Sequence, residues 1–133
     1  MNKVSESLPL EVVITDTFDA AHFLPNYPGK CARVHGHMWT VEIGITGVSN
    51  PTTGMVIDFG DLKRILKVAV IDKLDHTLLN LKDVEGRLEF PSDMPTAENI
   101  LTWIVKSLKP LLPQLTYVRL AESPSSWVVW RKQ

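Results

Sequence analysis

Six periodic segments, in the order strand, strand, helix, helix, strand, strand, predict an α+β fold: a four-stranded antiparallel sheet with two helices on one face. Two observations carry that prediction. The strand-like segments alternate apolar and polar residues with period two, and each helix-like segment has a single apolar stripe. One sheet face is therefore to be covered, and the other wetted or buried against another subunit. The 133 residues suit one domain, 1–133, with 1–8 as a flexible N-terminal extension.

The first strand reads as residues 9–22, where Val12, Val13, Ile14, Thr15, Thr17 and Phe18 supply β-branched and aromatic character. Residues 23–34 read as a loop, marked by Pro25-Asn26-Tyr27-Pro28-Gly29. From His35 to Thr46, Trp39, Val41, Ile43 and Ile45 alternate with Thr40, Glu42, Gly44 and Thr46, which predicts the second strand. Asn50 to Gly54 is a turn. From Asp58 to Asp72 the period becomes helical: Phe59, Leu62, Ile65, Leu66, Ala69 and Val70 share one face, and Asp58 is placed to cap the N-terminus. A second helix starts at Thr96 and runs to about Leu108, with Ile100, Trp103, Ile104 and Leu108 as its stripe; Pro110 and Pro113 stop it. Leu115–Glu122 and Ser126–Lys132 read as the last strands, joined by Ser123-Pro124-Ser125.

Composition narrows the function classes. Hydrophobic residues make up 44% and charged residues 22%, which is ordinary for a globular domain. No apolar run approaches the ~18 residues that span a bilayer, and Met1 to Ser7 lacks the apolar stretch of a signal peptide. A net charge of -1 and a pI near 6.4 argue against nucleic acid as the partner. One cysteine allows no internal disulfide, so a reducing cytoplasm is the expected setting.

Four histidines and a few neighbours carry the chemistry. His35 and His37 are two apart at a strand entrance, so their side chains leave on one side of the backbone. His22 ends the preceding strand, and pairing of the two strands brings it near them. Three imidazoles without a fourth protein ligand form the pattern of a catalytic zinc site; an ordinary polar strand start is equally compatible with the spacing alone. Cys31 is open to three readings: a fourth metal ligand, a thiolate favoured by Lys30 and Arg33, or an inert cysteine. Asp75-His76 follows the first helix. It is either a carboxylate orienting a proton-shuttling imidazole, which requires the helix to have ended, or a histidine favoured by a helix C-terminus. Glu122, at a strand end, is either solvated or an acceptor for two parallel N–H donors of a planar heterocycle.

Taken together these segments resemble the 6-pyruvoyl tetrahydropterin synthase family. The resemblance rests on Phe18-Asp19-Ala20-Ala21-His22, Gly29-Lys30-Cys31-Ala32-Arg33-Val34-His35-Gly36-His37, and Gly54-Met55-Val56-Ile57-Asp58-Phe59. It continues through Leu74-Asp75-His76 with Leu79-Asn80, Pro95-Thr96-Ala97-Glu98-Asn99, and Glu122. It spans about residues 10–131. It implies the tunnelling fold, in which trimerisation joins the sheets into a barrel and two trimers stack into a homohexamer. It implies Zn2+ on His22, His35 and His37. It also implies a constellation of Cys31, His76 and Asp75 assembled across a subunit boundary, and pterin anchoring by Glu122 with the backbone at Thr96-Ala97.

Within the family, the three residues between Cys31 and His35 look like the 6-carboxytetrahydropterin synthase of queuosine biosynthesis. The implied reaction turns 7,8-dihydroneopterin triphosphate into 6-carboxy-5,6,7,8-tetrahydropterin, acetaldehyde and triphosphate, with Arg33 and Lys30 as candidate triphosphate partners. The alternatives are a 6-pyruvoyltetrahydropterin synthase and, from another class, a non-catalytic zinc-stabilised module with Cys31 as fourth ligand. Met38-Trp39, Ala121 and Ser123 depart from the family's usual residues beside the pocket.

Overall fold

The computed structural model describes residues 7–81 and 93–133; residues 1–6 of the expected N-terminal extension lie outside the described residues. Strands β1 (Pro9–His22) and β2 (His35–Val48) pair antiparallel without a break, from Pro9 opposite Val48 to His22 opposite His35. Unbroken register puts even residues of β1 and odd residues of β2 on one face. That face carries Ile14, Phe18, Trp39, Val41, Ile43 and Ile45, all buried. Phe18 lies opposite Trp39, and their rings stack at 5.9 Å and 5°. Such a pair contributes about 0.5–1.5 kcal/mol beyond its burial. The Trp39 indole N–H donates to the Ala20 carbonyl at 3.2 Å, so this polar atom enters the core paired.

The first helix begins where expected. Asp58 accepts from the Asp61 backbone N–H at 3.1 Å, capping α1 (Phe59–Leu66). A π-helical turn, Lys67–Ile71, then leads into α2 (Asp72–Leu74). Ala69, Val70 and Ile71 of this wider turn are all buried. Phe59 departs from the expected apolar stripe. It is 59% exposed at the first helical position and turns toward Val13 and Thr15 beside β1, while Leu62, Leu66, Ala69 and Val70 face the core.

Two residues after α2 comes β3 (Thr77–Leu78), parallel to β1 at Ala20 and Ala21. Its two residues are too few to show a period, and the sheet is accordingly five-stranded and mixed, not four-stranded and antiparallel. Helix α3 (Ala97–Leu108) is capped by Thr96, whose hydroxyl accepts from the Asn99 N–H at 3.2 Å. Strands β4 (Leu115–Ser123) and β5 (Ser126–Arg131) complete the order β3-β1-β2-β4-β5. Val118 and Leu120 face the helices. On the opposite face Tyr117 donates to Glu42 at 2.9 Å, and Arg119 lies 4.3 Å over the Trp127 ring. That face has no helix over it among the described residues, and the sheet does not close. No helix among the described residues is long and apolar enough to cross a membrane.

Candidate metal centre

Strand register assembles the histidines. His22 lies opposite His35, and His37 lies opposite Ala20, so all three rings leave the core face at one end of the sheet. Their centroids are 4.5 Å (His22–His35), 5.3 Å (His22–His37) and 5.0 Å (His35–His37) apart. A fourth group arrives from β4. Ala121 pairs with Trp127 and Ser123 with Ser126, which leaves Glu122 as the extra residue of a β-bulge. Bulges re-aim side chains, and this one puts Glu122 Oε1 2.9 Å from His37 Nε2 and 3.7 Å from His22 Nε2. Donor atoms of His22, His35, His37 and Glu122 all lie within 4.8 Å of one another.

Two of the rings, those of His22 and His35, are held in a metal-ready tautomer. His22 Nδ1 lies 2.7 Å from the Pro95 carbonyl, and His35 Nδ1 2.6 Å from the Arg33 carbonyl. A carbonyl only accepts, so each Nδ1 carries the proton and each Nε2 presents a bare lone pair. Backbone anchoring of the remote nitrogen is how metal-binding imidazoles are commonly oriented. The Nε2 atoms of His22 and His37 are buried and make no hydrogen bond. Buried ring nitrogens without a hydrogen bond are rare inside proteins, and a cation among them satisfies both. Burial holds the pKa of His22 and of His37 below the ordinary histidine value, so both favour the neutral, ligating form. Three imidazole nitrogens and a carboxylate oxygen fit a divalent metal ion.

Cys31 is outside this group. It sits exposed in a 3-10 turn, Lys30–Ala32, and the fourth donor beside the imidazoles is Glu122 instead. Asp75 and His76 form a dyad directly after α2. His76 has φ 60°, a left-handed conformation that costs a non-glycine residue roughly 1–3 kcal/mol. Two bonds compensate: its N–H donates to the Asp19 carbonyl at 2.6 Å, and its Nδ1 reaches Asp75 Oδ2 at 2.8 Å. The other Asp75 oxygen accepts from the Asp19 N–H at 2.9 Å. This backbone hydrogen bond, then the His76 bond, lowers the Asp75 pKa; the Asp75 carboxylate raises that of His76. His76 shares an open cleft of about 510 Å³ with His37 and Met38. Among the described residues, Cys31 does not join Asp75 and His76 in a cluster.

Other motif residues prove to be props. Pro95 orients His22 through its carbonyl. Asn99 donates to the Met94 carbonyl at 2.8 Å, holding that segment, while the Thr96 hydroxyl caps α3 and Ala97 packs on the core. Asn80 clamps Phe23 through both its N–H and its carbonyl at 3.0 Å each. Pro95, Asn80, Asn99 and Asp19 all sat in conspicuous motifs, but nothing in their spacing revealed which backbone atoms they would meet.

The family profile described as 6-pyruvoyl tetrahydropterin synthase matches residues 11–133. The chain belongs to the 6-pyruvoyl tetrahydropterin synthase family. A protein of Archaeoglobus fulgidus, provisionally named 6-carboxy-5,6,7,8-tetrahydropterin synthase, is 40% identical over 119 residues, 90% of this chain and 93% of its own. The 6-pyruvoyl tetrahydrobiopterin synthase of Dictyostelium discoideum is 38% identical over 105 residues, 77% of this chain and 74% of its own. The structure of Caenorhabditis elegans 6-pyruvoyl tetrahydropterin synthase superposes with a TM-score of 0.81 at 27% identity, covering 98% of this chain and 100% of that one. The synthase-family fold read from the motifs is thus the fold observed, and the named relatives divide between two tetrahydropterin products.

Proposed function

We propose that this family member is a zinc-dependent lyase that converts 7,8-dihydroneopterin triphosphate and water into 6-carboxy-5,6,7,8-tetrahydropterin, acetaldehyde and triphosphate, the queuosine-pathway reaction. The observation that carries the reading is the convergence of His22, His35 and His37, with two buried Nε2 atoms that make no hydrogen bond. The narrower choice of product is supported by the Cys31–His35 spacing and by the name of the Archaeoglobus relative.

Zinc bound by the three imidazoles supplies Lewis acidity that lowers the pKa of the substrate's side-chain hydroxyls. The chain's own residues do the rest. Cys31, as thiolate, takes a proton from the substrate's carbon framework. His76 carries a proton at Nε2 while Asp75 fixes the other nitrogen. Glu122 accepts the N–H and amino group of the pterin edge, beside the backbone at Thr96-Ala97, and Arg33 and Lys30 meet the triphosphate. Since Cys31 and the Asp75–His76 dyad do not cluster within one chain, a neighbouring subunit completes the site. The open sheet edges and uncovered face favour a trimeric barrel, stacked as a hexamer. An exposed, reduced Cys31 suits the cytoplasm.

The likeness to the Dictyostelium enzyme favours one second reading, formation of 6-pyruvoyltetrahydropterin by triphosphate elimination without carbon–carbon cleavage. Mass spectrometry of products from 7,8-dihydroneopterin triphosphate separates the two. Acetaldehyde with 6-carboxytetrahydropterin is the expected result; triphosphate release without acetaldehyde overturns it in favour of the second.

A further inference from the structure

Glycine inside a strand weakens it, because glycine gives up more conformational freedom on folding than any other residue. Where it stands in a strand, a bulge, a crowded backbone or the close approach of a ligand is the usual cause. Elsewhere in this chain the cause is visible. Gly29 and Gly54 have φ of 115° and 73°, in the left-handed region. A Cβ on Gly44, Gly47 or Gly60 would lie 3.0 to 3.1 Å from a neighbouring side chain. Gly36, between the ligands His35 and His37, differs from all five. Its φ is outside the left-handed region, and a Cβ there would meet only the Ala20 carbonyl, at an ordinary 3.8 Å. It pairs with Ala21 in the unbroken register of β1 and β2, so no bulge accounts for it. Nothing among the described residues requires a glycine here. Yet Gly36 lines the open cleft of about 510 Å³ that His37 and His76 share.

We propose that Gly36 is a specificity-determining residue, whose bare backbone leaves room for the three-carbon side chain of the pterin substrate to cross β2 between the metal and His76. The inference rests on the proposed function, which puts the side-chain hydroxyls on the ion and a proton at His76. The carbon chain must then reach both groups. Gly36 adjoins His37 in the strand and lies in the cleft that His76 also lines. A side chain at this position would have open space before it, and that space is the cleft. Residue 36 thereby sets how bulky a substituent the pterin ring can carry into the site.

The test compares Gly36→Ala and Gly36→Val with the wild type, all loaded with zinc. Calorimetry measures two probes: neopterin, which carries the three-carbon hydroxylated side chain, and 6-methylpterin, the same ring with a methyl group only. Neopterin is expected to bind about tenfold more weakly to Gly36→Ala and about a hundredfold more weakly to Gly36→Val. Affinity for 6-methylpterin, the zinc content and the His76 titration by NMR should stay as in the wild type. Tm should rise slightly in Gly36→Ala, because alanine loses less freedom in a strand. A substitution that stabilises the fold while weakening one probe alone is not the mark of a structural glycine. Wild-type neopterin affinity in Gly36→Val overturns the proposal. So does equal weakening of both probes, which would put the ring and not the side chain over Gly36. A lowered Tm in both variants also overturns it, since the glycine would then serve the fold. Binding of neither probe to the wild type sinks the pterin reading itself, and the role of Gly36 falls with it. Should Gly36→Val fail to fold, Gly36→Ala still decides between these outcomes.

Discussion

The metal centre and the Asp75–His76 dyad both lean on the end of β1, yet they are built by opposite means. The imidazoles of His22, His35 and His37 come together because fourteen residues of β1 pair in unbroken register with β2. Two of the rings are then locked by carbonyls, one from as far away as Pro95. The dyad is local. A helix ends at Leu74, one residue turns left-handed, and two adjacent side chains meet over Asp19. The first arrangement gathers its donor atoms within one chain, with His22 buried and His35, His37 and Glu122 half-buried. The second is exposed, with the His76 side chain 78% accessible, and lacks the thiol it is proposed to work with. Register suits a metal, whose donors must be fixed to fractions of an ångström. A surface turn suits a group that meets its partner across a subunit boundary.

The largest effect expected concerns the histidine group. His37→Ala leaves two imidazoles, too few to hold zinc well. Metal content measured by atomic emission should fall at least about tenfold, with activity lost alongside it, while the Asp75–His76 dyad keeps its raised His76 titration by NMR. Full metal content in the variant would break the idea that register builds the ion's site.

The exposed half should behave differently. Cys31→Ala is expected to lower turnover by about 10²–10⁴-fold, the usual range for a lost acid–base group, with zinc content unchanged. His76→Ala should do the same. Mixing the two inactive proteins after dissociation and reassembly should restore part of the activity, because some interfaces then carry both intact groups. Mixtures that stay dead despite proven subunit exchange would mean that the thiol and the dyad do not share a site across subunits.

The same contrast explains what could be read from the sequence. Period-two alternation in β2 and the helical stripe of Leu62, Leu66, Ala69 and Val70 report burial directly, so the main elements emerge almost to the residue. His22, His35 and His37 follow, because pairing two adjacent strands brings their ends together. What stayed hidden depends on single long-range or irregular contacts. β3 is held by two residues against β1, and Glu122 is aimed by a bulge whose extra residue has no sequence mark. Phe59 matched the stripe by spacing, but at the first helical position it lies beyond the core. No periodicity announces that the carbonyl of Pro95 will meet a ring 73 residues away.

The smallest effect expected comes from that last link. The Thr96 hydroxyl accepts the Asn99 N–H at 3.2 Å and caps α3. Losing a threonine cap costs about 1 kcal/mol, so Thr96→Ala should lower Tm by roughly 3–6 °C in a chain of this size, measured without metal. The same turn carries the Met94 carbonyl held by Asn99 and the Pro95 carbonyl that orients His22. Fraying of the turn loosens that carbonyl, and the His22 ring loses its fixed tautomer and angle. Zinc affinity, read by competition with a chelator, should therefore weaken in Thr96→Ala, by less than the loss in His37→Ala, and recover in Thr96→Ser. His76, with its ring bonded to Asp75 and its backbone N–H to Asp19, should keep its NMR titration. An unchanged Tm with unchanged zinc affinity would show that the α3 cap does not support the metal end. A moved His76 titration would show that the two regions are one unit.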